Sequence, residues 1–147
     1  MLIQMLPDQV SELWDVLKPS IMSSMPGHWK KDDVIASNIL QAVLADKMQC
    51  WVYQNVDDEA KLEGVVLTSV FHDQCSGVKN LVIYGLASMK HAKIVDIETW
   101  RSGLATLIKY GKGIGCHNIA AYTVVPRIVE VAEALKCSKE TFLFWEI

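Results

Sequence analysis

The sequence predicts one α/β domain built on a mixed, mostly antiparallel sheet of about six strands, flanked by about four helices. Two observations predict this class. Half of the 147 residues are apolar, which is enough to build a single core of ordinary size over residues 1–147. Strand-like runs and amphipathic helical runs follow one another in the order β-α-α-β-β-β-α-β-α-β, and no linker or repeat separates them.

The start of the chain predicts a strand followed by two helices. The strand, residues 2–6, ends at Pro7, which cannot donate to a strand ladder and suits the first turn of a helix. Apolar residues at helical spacing continue that helix until Pro19. A second amphipathic helix begins after an aspartate cap at Asp32 or Asp33.

Three strands then form a meander. Strand-favouring residues fill the ranges 48–54, 64–71 and 79–88, and polar turns separate these ranges. The last of them contains the run Leu-Val-Ile-Tyr-Gly-Leu, which is typical of a central strand that is buried on both faces.

The rest of the chain alternates helix and strand. Asp96 can cap a long helix, and the three glycines within 111–115 predict its end. An extended segment over 117–125, a helix opened by Pro126 and an aromatic-rich strand over 141–147 complete the order.

Charge and cysteine usage limit the classes of function. The formal net charge of −3 provides no basic surface for a nucleic-acid backbone. No stretch approaches the ~20 apolar residues of a membrane helix, and the N-terminal run lacks the positive start of an export signal. The four cysteines show neither metal-ligand spacing nor a disulfide pattern. We therefore expect a cytoplasmic protein with free thiols, no metal site, and no affinity for nucleic acid or membrane.

The element order resembles that of the GNAT acyltransferase superfamily, in which two helices follow the first strand and a meander precedes a long central helix. Two short sequence motifs agree with this resemblance. Gly-Val-Val-Leu-Thr at 64–68 resembles the family's third strand, and Leu-Lys-Cys at 135–137 stands where Leu-Gly-Phe often ends the last helix. The runs at 50–52 and 109–116 are similar to small phage-encoded members. The resemblance implies a GNAT-like domain that uses acetyl-CoA to acetylate a small-molecule amine or a protein amine.

The family's phosphate-binding signature, Arg/Gln-x-x-Gly-x-Gly/Ala, opens the central helix, where backbone amides hold the pyrophosphate of coenzyme A. The glycines within 110–115 imitate this signature, but too little chain follows them, so we interpret them as the end of the helix. The register that the topology requires places the signature at 89–96, which contains no glycine. Basic side chains there would supply charge instead, unless the segment is an ordinary loop whose Asp96 occupies the helix amides. The predicted cofactor-binding residues are Leu86, Ala87, Ser88, Lys90, His91 and Lys93.

Acyl transfer in this family uses a splayed central strand whose amide polarises the thioester, a base for the amine, and often a tyrosine that protonates the leaving thiolate. The resemblance places that strand at 81–88, where Gly85 either lets substrate approach or marks a bulge. The last helix contains no tyrosine. Tyr122 and Tyr84 are therefore the candidate acids and His72 is the candidate base, although strand packing and a polar turn also explain these residues.

Two functions stay open from the sequence. The first is an N-acetyltransferase with a degenerate pyrophosphate loop. The second is a catalytically silent GNAT-like binding or assembly module, of phage origin for example, which the missing glycines and the missing helix tyrosine favour. An uncovered edge strand would also allow a homodimer to form.

Overall fold

The computed structural model describes residues 1–26, 32–59, 61–89 and 96–147. These residues form five strands and five helices in one α/β sheet structure, which confirms the predicted fold class. The strands are β1 (Leu2–Gln4), β2 (Met48–Gln54), β3 (Leu62–His72), β4 (Lys79–Ser88) and β5 (Asn118–Ala121). The helices are α1 (Pro7–Glu12), α2 (Trp14–Ser24), α3 (Asp33–Leu44), α4 (Ile97–Gly113) and α5 (Pro126–Ala134). No helix among the described residues has both the length and the hydropathy that a membrane span requires.

The number of strands and the number of helices differ from the prediction for identifiable reasons. The strand predicted over 141–147 is wrong, because residues 138–147 contain no regular element and their large apolar side chains remain exposed. The first predicted helix is divided at Leu13 into α1 and α2. Pro19 does not stop α2. Its nitrogen cannot donate the helical hydrogen bond to the carbonyl of Asp15, but Asp15 is exposed, so water can donate to that carbonyl instead.

The sheet is mixed, with the strand order β1-β2-β3-β4-β5. Neighbouring strands are antiparallel from β1 to β4, and β5 is parallel to β4. The predicted meander of β2, β3 and β4 is confirmed. The last connection, from β4 through α4 to β5, is the parallel crossover that a helix on the sheet face provides.

The sheet separates two apolar layers because adjacent strand residues point to opposite faces. Val65 and Val66 of β3, for example, belong to different layers. The layer beneath α1, α2 and α3 contains Val10, Leu17, Ile21, Ile39, Val43, Cys50, Val52, Val65 and Leu67. The layer beneath α4 contains Leu2, Trp51, Val66, Leu81 and Leu107.

Cys50 is fully buried within the first of these layers. Burial raises the pKa of the Cys50 thiol to about 12. The group therefore stays protonated at neutral pH and packs as a small apolar side chain.

A short polar chain fixes the layer beneath α4. The Trp51 indole Nε1 donates to Thr68 Oγ1 at 2.9 Å, and Thr68 Oγ1 donates to Gln49 Oε1 at 3.0 Å. Trp51 also meets Tyr110 of α4 edge to face, with ring centroids 5.0 Å apart. The buried indole N–H and the buried hydroxyl both have hydrogen-bond partners, so their burial does not carry the free-energy cost of an unsatisfied polar group.

The ends of α4 confirm that the triple-glycine segment terminates this helix. At its start, the Asp96 carboxylate accepts a hydrogen bond from Thr99 N at 2.8 Å, as predicted for a cap. At its end, Cys116 N donates to Gly111 O at 2.8 Å, and Gly115 adopts a φ of 82°. This is a Schellman termination, in which glycine is favoured at the left-handed position.

The last helix ends in the same way but without glycine. Cys137 N donates to Ala132 O at 3.1 Å, and Lys136 adopts a φ of 66°. Lys136 is the middle residue of the Leu-Lys-Cys motif at 135–137, which stands where Leu-Gly-Phe often ends the last helix in the superfamily that the sequence resembles. A lysine in the left-handed region crowds its own Cβ against the backbone, whereas glycine does not.

Replacing Lys136 by glycine should therefore raise the free energy of unfolding by about 0.5–1 kcal/mol. Urea denaturation followed by circular dichroism measures the change. The matched control is Lys112→Gly, which introduces glycine into the last turn of α4 and should lower the free energy of unfolding by about 1 kcal/mol. A loss of stability in the Lys136→Gly variant would contradict the strain described here.

Candidate functional site

The β4 and β5 strands diverge part-way along their length. Their parallel pairing runs from Asn80 opposite Asn118 to Ile83 opposite Ala121, and Tyr122 N then donates to Ile83 O at 3.2 Å. β4 continues to its end at Ser88 while pairing only with β3. Among the described residues, no strand pairs with this final part of β4 on the side of β5. This leaves a wedge-shaped opening between the end of β4 and the end of β5.

The hydrogen-bond register shows which backbone amides point into this wedge. Met89 N donates to Glu63 O at 2.9 Å, so Met89 stands at a hydrogen-bonded position of the ladder between β4 and β3. In an antiparallel ladder, alternate residues bond to the neighbouring strand and those between them point away from it. Ala87 is therefore directed toward β3, whereas the amides of Leu86 and Ser88 are directed into the wedge. Of the three predicted cofactor-binding residues on β4, Leu86 and Ser88 therefore direct their amides into the wedge, and Ala87 does not.

A β-bulge lies where the wedge begins. The register changes from Thr68 opposite Ile83 to Leu67 opposite Gly85, which leaves Tyr84 as the inserted residue. Ile83 before the bulge and Leu86 after it both pack against the layer beneath α4. The three-residue step between them means that the bulge shifts the alternation of the strand by one residue.

The missing side chain of Gly85 lets the end of α2 lie close to this bulge. A Cβ at position 85 would lie 2.5 Å from Ser24 Oγ and 2.6 Å from Met25 Cε. The Ser24 hydroxyl is itself held in place, since it donates to Ile21 O at 2.8 Å. Of the two sequence interpretations of Gly85, the structure therefore supports the bulge, and it adds close contact with the end of α2.

Three aromatic rings stand beside the bulge. The ring centroids of Tyr84 and Tyr122 are 5.7 Å apart, and those of Tyr122 and Phe142 are 5.9 Å apart. Tyr84 is half-buried, whereas Tyr122 is 45% exposed. Burial, followed by the proximity of Tyr122, raises the pKa of the Tyr84 phenol. The structure thus brings together the two tyrosines that the sequence analysis singled out.

His72 is not brought to this group. It pairs with Lys79 at the turn between β3 and β4, five residues before Tyr84. At about 3.3 Å per strand residue, this places it roughly 16 Å from the bulge along the strand. Asp73 Oδ1 beside it accepts hydrogen bonds from Cys75 N and Ser76 N, both at 2.8 Å. This geometry supports the interpretation of His72 and Asp73 as a polar hairpin turn.

The sequence matches no protein-family model and no curated protein. Solved structures match across the whole chain. AAC(6')-Iy, an aminoglycoside N-acetyltransferase solved with the bisubstrate analogue CoA-S-monomethyl-acetylneamine, is 18% identical; the match covers 100% of this chain and 97% of that one, with a TM-score of 0.70. The chain has the GNAT fold.

Two further matches agree with this fold. An aminoglycoside acetyltransferase from an uncultured soil metagenomic sample, solved with sisomicin, is 11% identical; the match covers 100% of this chain and 95% of that one, with a TM-score of 0.71. A ribosomal-protein-alanine N-acetyltransferase from Brucella melitensis biovar Abortus 2308 is 9% identical, with coverage of 100% and 98% and a TM-score of 0.66. The likeness to small phage-encoded GNAT members stays a prediction.

Residues 89–96, where the predicted register places the phosphate-binding signature, lie between the end of β4 at Ser88 and the start of α4 at Ile97. Lys90, His91 and Lys93 lie outside the described residues. At the described end of the segment, hydrogen bonds from the backbone and then the side chain of Thr99 lower the pKa of the Asp96 carboxyl. An ionised carboxylate therefore already occupies one of the amides at this helix N-terminus.

Two contributors to the site were missed by the sequence analysis. Phe142 was assigned to a strand, although the run Phe-Leu-Phe-Trp at 142–145 is a signal for an aromatic contact surface. Ser24 shows no signal in the sequence at all. Its role depends on the angle at which α2 crosses the GNAT sheet, which local sequence does not encode.

Replacing Gly85 by alanine should lower the free energy of unfolding by about 1–3 kcal/mol, because the new methyl group displaces the Ser24 hydroxyl and the end of Met25. Thermal or urea unfolding measures this loss. Adding Ser24→Ala to the same chain should recover part of it. The control is Gly113→Ala, which meets nothing within 4 Å inside α4 and should be neutral or stabilising by up to about 1 kcal/mol. A Gly85→Ala variant as stable as the parent would contradict the packing of α2 on the bulge.

Proposed function

We propose that this protein is an N-acyltransferase that transfers the acetyl group of acetyl-CoA to the amine of a small molecule or a protein. The observation that carries this proposal is the open edge of β4 after Ile83, from which the Leu86 amide points into the wedge between β4 and β5. Transferases with this fold, including one solved with CoA, provide the analogy.

The wedge suits a thioester for a chemical reason. A backbone N–H that is fixed in a strand and has no strand partner is a preorganised donor for a carbonyl oxygen on which negative charge develops. Leu86 supplies such a donor next to the bulge, and Ser88 supplies a second one along the same edge. When bound, acetyl-CoA supplies the acetyl group already activated as a thioester.

The tyrosines beside the bulge are the proposed proton donors. Because its pKa is raised, the Tyr84 phenol keeps its proton through neutral pH and beyond its ordinary range near pH 10. A protonated phenol can donate to a departing thiolate, which is the role that general acids play in acyl transfer. Tyr122 is the alternative donor, since its ring lies next to that of Tyr84. His72 is too distant to act as the base in this proposal, because it pairs with Lys79 at the opposite end of β4.

In this proposal, the chain binds the pyrophosphate of acetyl-CoA differently from the family signature. The first turn of α4 is capped by Asp96, and the segment that leads into it contains no glycine. Lys90, His91 and Lys93 remain the proposed source of positive charge. A cofactor held mainly by lysine and histidine side chains should bind more weakly at high salt than one held by backbone amides alone.

A catalytically silent binding module is the second candidate function. The Asp96 cap favours it, because a carboxylate at the helix N-terminus repels a phosphate. The absence of tyrosine from α5 favours it as well. The two functions differ in whether the folded chain binds acetyl-CoA.

Acetyl-CoA at 1 mM should raise the unfolding temperature of the full chain. For a Kd near 10–100 µM, linkage gives about 1.4–2.7 kcal/mol of stabilisation, which corresponds to a rise of several degrees for a chain of this size. Differential scanning fluorimetry measures it, with 1 mM sodium acetate and 1 mM ATP as controls for anion binding. An unchanged unfolding temperature at 1 mM acetyl-CoA would overturn the proposed acyltransferase function and leave the catalytically silent module as the candidate function.

Either Tyr84→Phe or Tyr122→Phe should slow acetyl transfer by about 10²-fold or more, because one of the two phenols protonates the thiolate. Release of the CoA thiol in the presence of a panel of primary amines measures the rate. The KM for acetyl-CoA should stay within about threefold in the slow variant. His72→Ala serves as the control and should keep the full rate. If Tyr84 is the acid, its raised pKa keeps the phenol protonated, so ionisation of Tyr84 should not reduce the rate at pH values below about 10. Full rates in both phenylalanine variants would exclude the proposed acid.

A further inference from the structure

The two faces of β4 beyond the bulge carry side chains of different size. Gly85 and Ala87 face the layer beneath α1, α2 and α3, since Gly85 meets the end of α2 and Ala87 packs against the buried cluster of that layer. Leu86 faces the opposite layer, beneath α4. On the α2 side of the wedge, β4 therefore presents only a hydrogen atom and a methyl group next to the Leu86 amide.

The end of α2 bounds the wedge on this side. Ser24 Oγ and Met25 Cε lie 2.5 Å and 2.6 Å from the position that a Cβ at residue 85 would take. We call these two residues the α2 wall. The Ser24 hydroxyl is held in place, because it donates to Ile21 O at 2.8 Å.

Met25 is the larger part of the α2 wall and is fixed by burial. It is only 4% exposed and belongs to the buried cluster beneath α1, α2 and α3. A methionine side chain is flexible, but one that is packed in a core cannot rotate into solvent. Moving the Met25 methyl group away from Gly85 therefore requires the surrounding core to repack.

The α2 wall lies on the side of the sheet toward which a bound thioester would extend its acyl carbons. In the proposed function, the pyrophosphate binds ahead of α4, and the thioester oxygen accepts a hydrogen bond from the Leu86 amide. Because α4 packs on the Leu86 face of the sheet, the cofactor reaches the wedge from that face. The acyl carbons beyond the carbonyl then point toward the opposite face, where Gly85 and Met25 lie.

We propose that Met25 limits the length of the acyl chain, so that the wedge accepts an acetyl group and discriminates against a butyryl group. This inference rests on the proposed acyltransferase function and assigns a specificity-determining residue to the same site. An acetyl group has a single methyl beyond the carbonyl, which fits between the edge of β4 and the α2 wall. A butyryl group has two further methylenes, which overlap Met25 Cε, and overpacking of this kind weakens binding by about 10-fold or more.

Isothermal titration calorimetry of the full chain with CoA, acetyl-CoA and butyryl-CoA tests this limit. The parent chain should bind butyryl-CoA at least about 10-fold more weakly than acetyl-CoA. Met25→Ala removes the side chain beyond Cβ, so the two Kd values should come within about threefold of each other. Met25→Val shortens the same side chain but leaves a smaller cavity, and it should reduce the difference in Kd by at least about threefold.

The matched control is Met5→Ala, which removes the same atoms from the same apolar layer. Met5 N donates to Cys50 O, at the same level of the sheet as Gly85. Met5 lies three strands away from β4, which is roughly 14 Å at about 4.8 Å per strand. This variant should keep the preference of the parent chain for acetyl-CoA. Circular dichroism of all three variants checks that each is folded.

The contradicting results separate the role of Met25 from the proposed function. If CoA itself does not bind to the parent chain, the acyltransferase function is wrong and the role of Met25 is wrong with it. If CoA binds but the parent chain binds acetyl-CoA and butyryl-CoA equally, only the role of Met25 is wrong. A folded Met25 variant that keeps the full preference, or a Met5→Ala variant that loses it, would also overturn that role.

Discussion

The hydrogen-bond register of β4 is the constraint on which the rest of the structure depends. The strand keeps its ladder with β3 as far as Ser88, but it loses β5 after Ile83. Backbone groups that would otherwise be paired then face a wedge instead of a strand. The bulge at Tyr84 shifts the alternation at the same point, and Gly85 admits the end of α2 beside it. One strand therefore supplies an open edge, an aromatic ring and the contact with the helical layer.

The helix that follows β4 combines a well-determined position with an atypical start. Trp51 packs against Tyr110 on the sheet side of α4, and the indole N–H is satisfied by Thr68. At the start of α4, the carboxylate of Asp96 accepts a hydrogen bond from Thr99 N and so occupies an amide of the helix N-terminus. The GNAT fold is thus combined with a helix N-terminus that the chain itself caps.

Much of the fold could be predicted because its signals are local. Pro7, Asp96 and Pro126 mark helix starts, and the glycines within 111–115 mark a helix end. The strand predicted over 141–147 was wrong because its residues favour a strand, but a strand also requires a partner, and no strand of the described residues pairs with this segment. The site was predicted only in part. The sequence analysis left both a base and a polar turn open for His72, and the structure supports the turn, since His72 pairs with Lys79 at the far end of the hairpin from the bulge. The bulge also depends on the neighbouring strand, which local sequence does not reveal.

The affinity of acetyl-CoA for two variants at one residue tests the central claim most directly. Leu86→Pro removes the amide that points into the wedge and leaves the ladder to β3 intact, whereas Leu86→Ala removes a similar part of the side chain and keeps the amide. Isothermal titration calorimetry should show a Kd within about threefold of the parent for Leu86→Ala and at least about fivefold weaker binding for Leu86→Pro, as the loss of one hydrogen bond requires. Equal affinities in two folded variants would contradict a site at the open edge of β4.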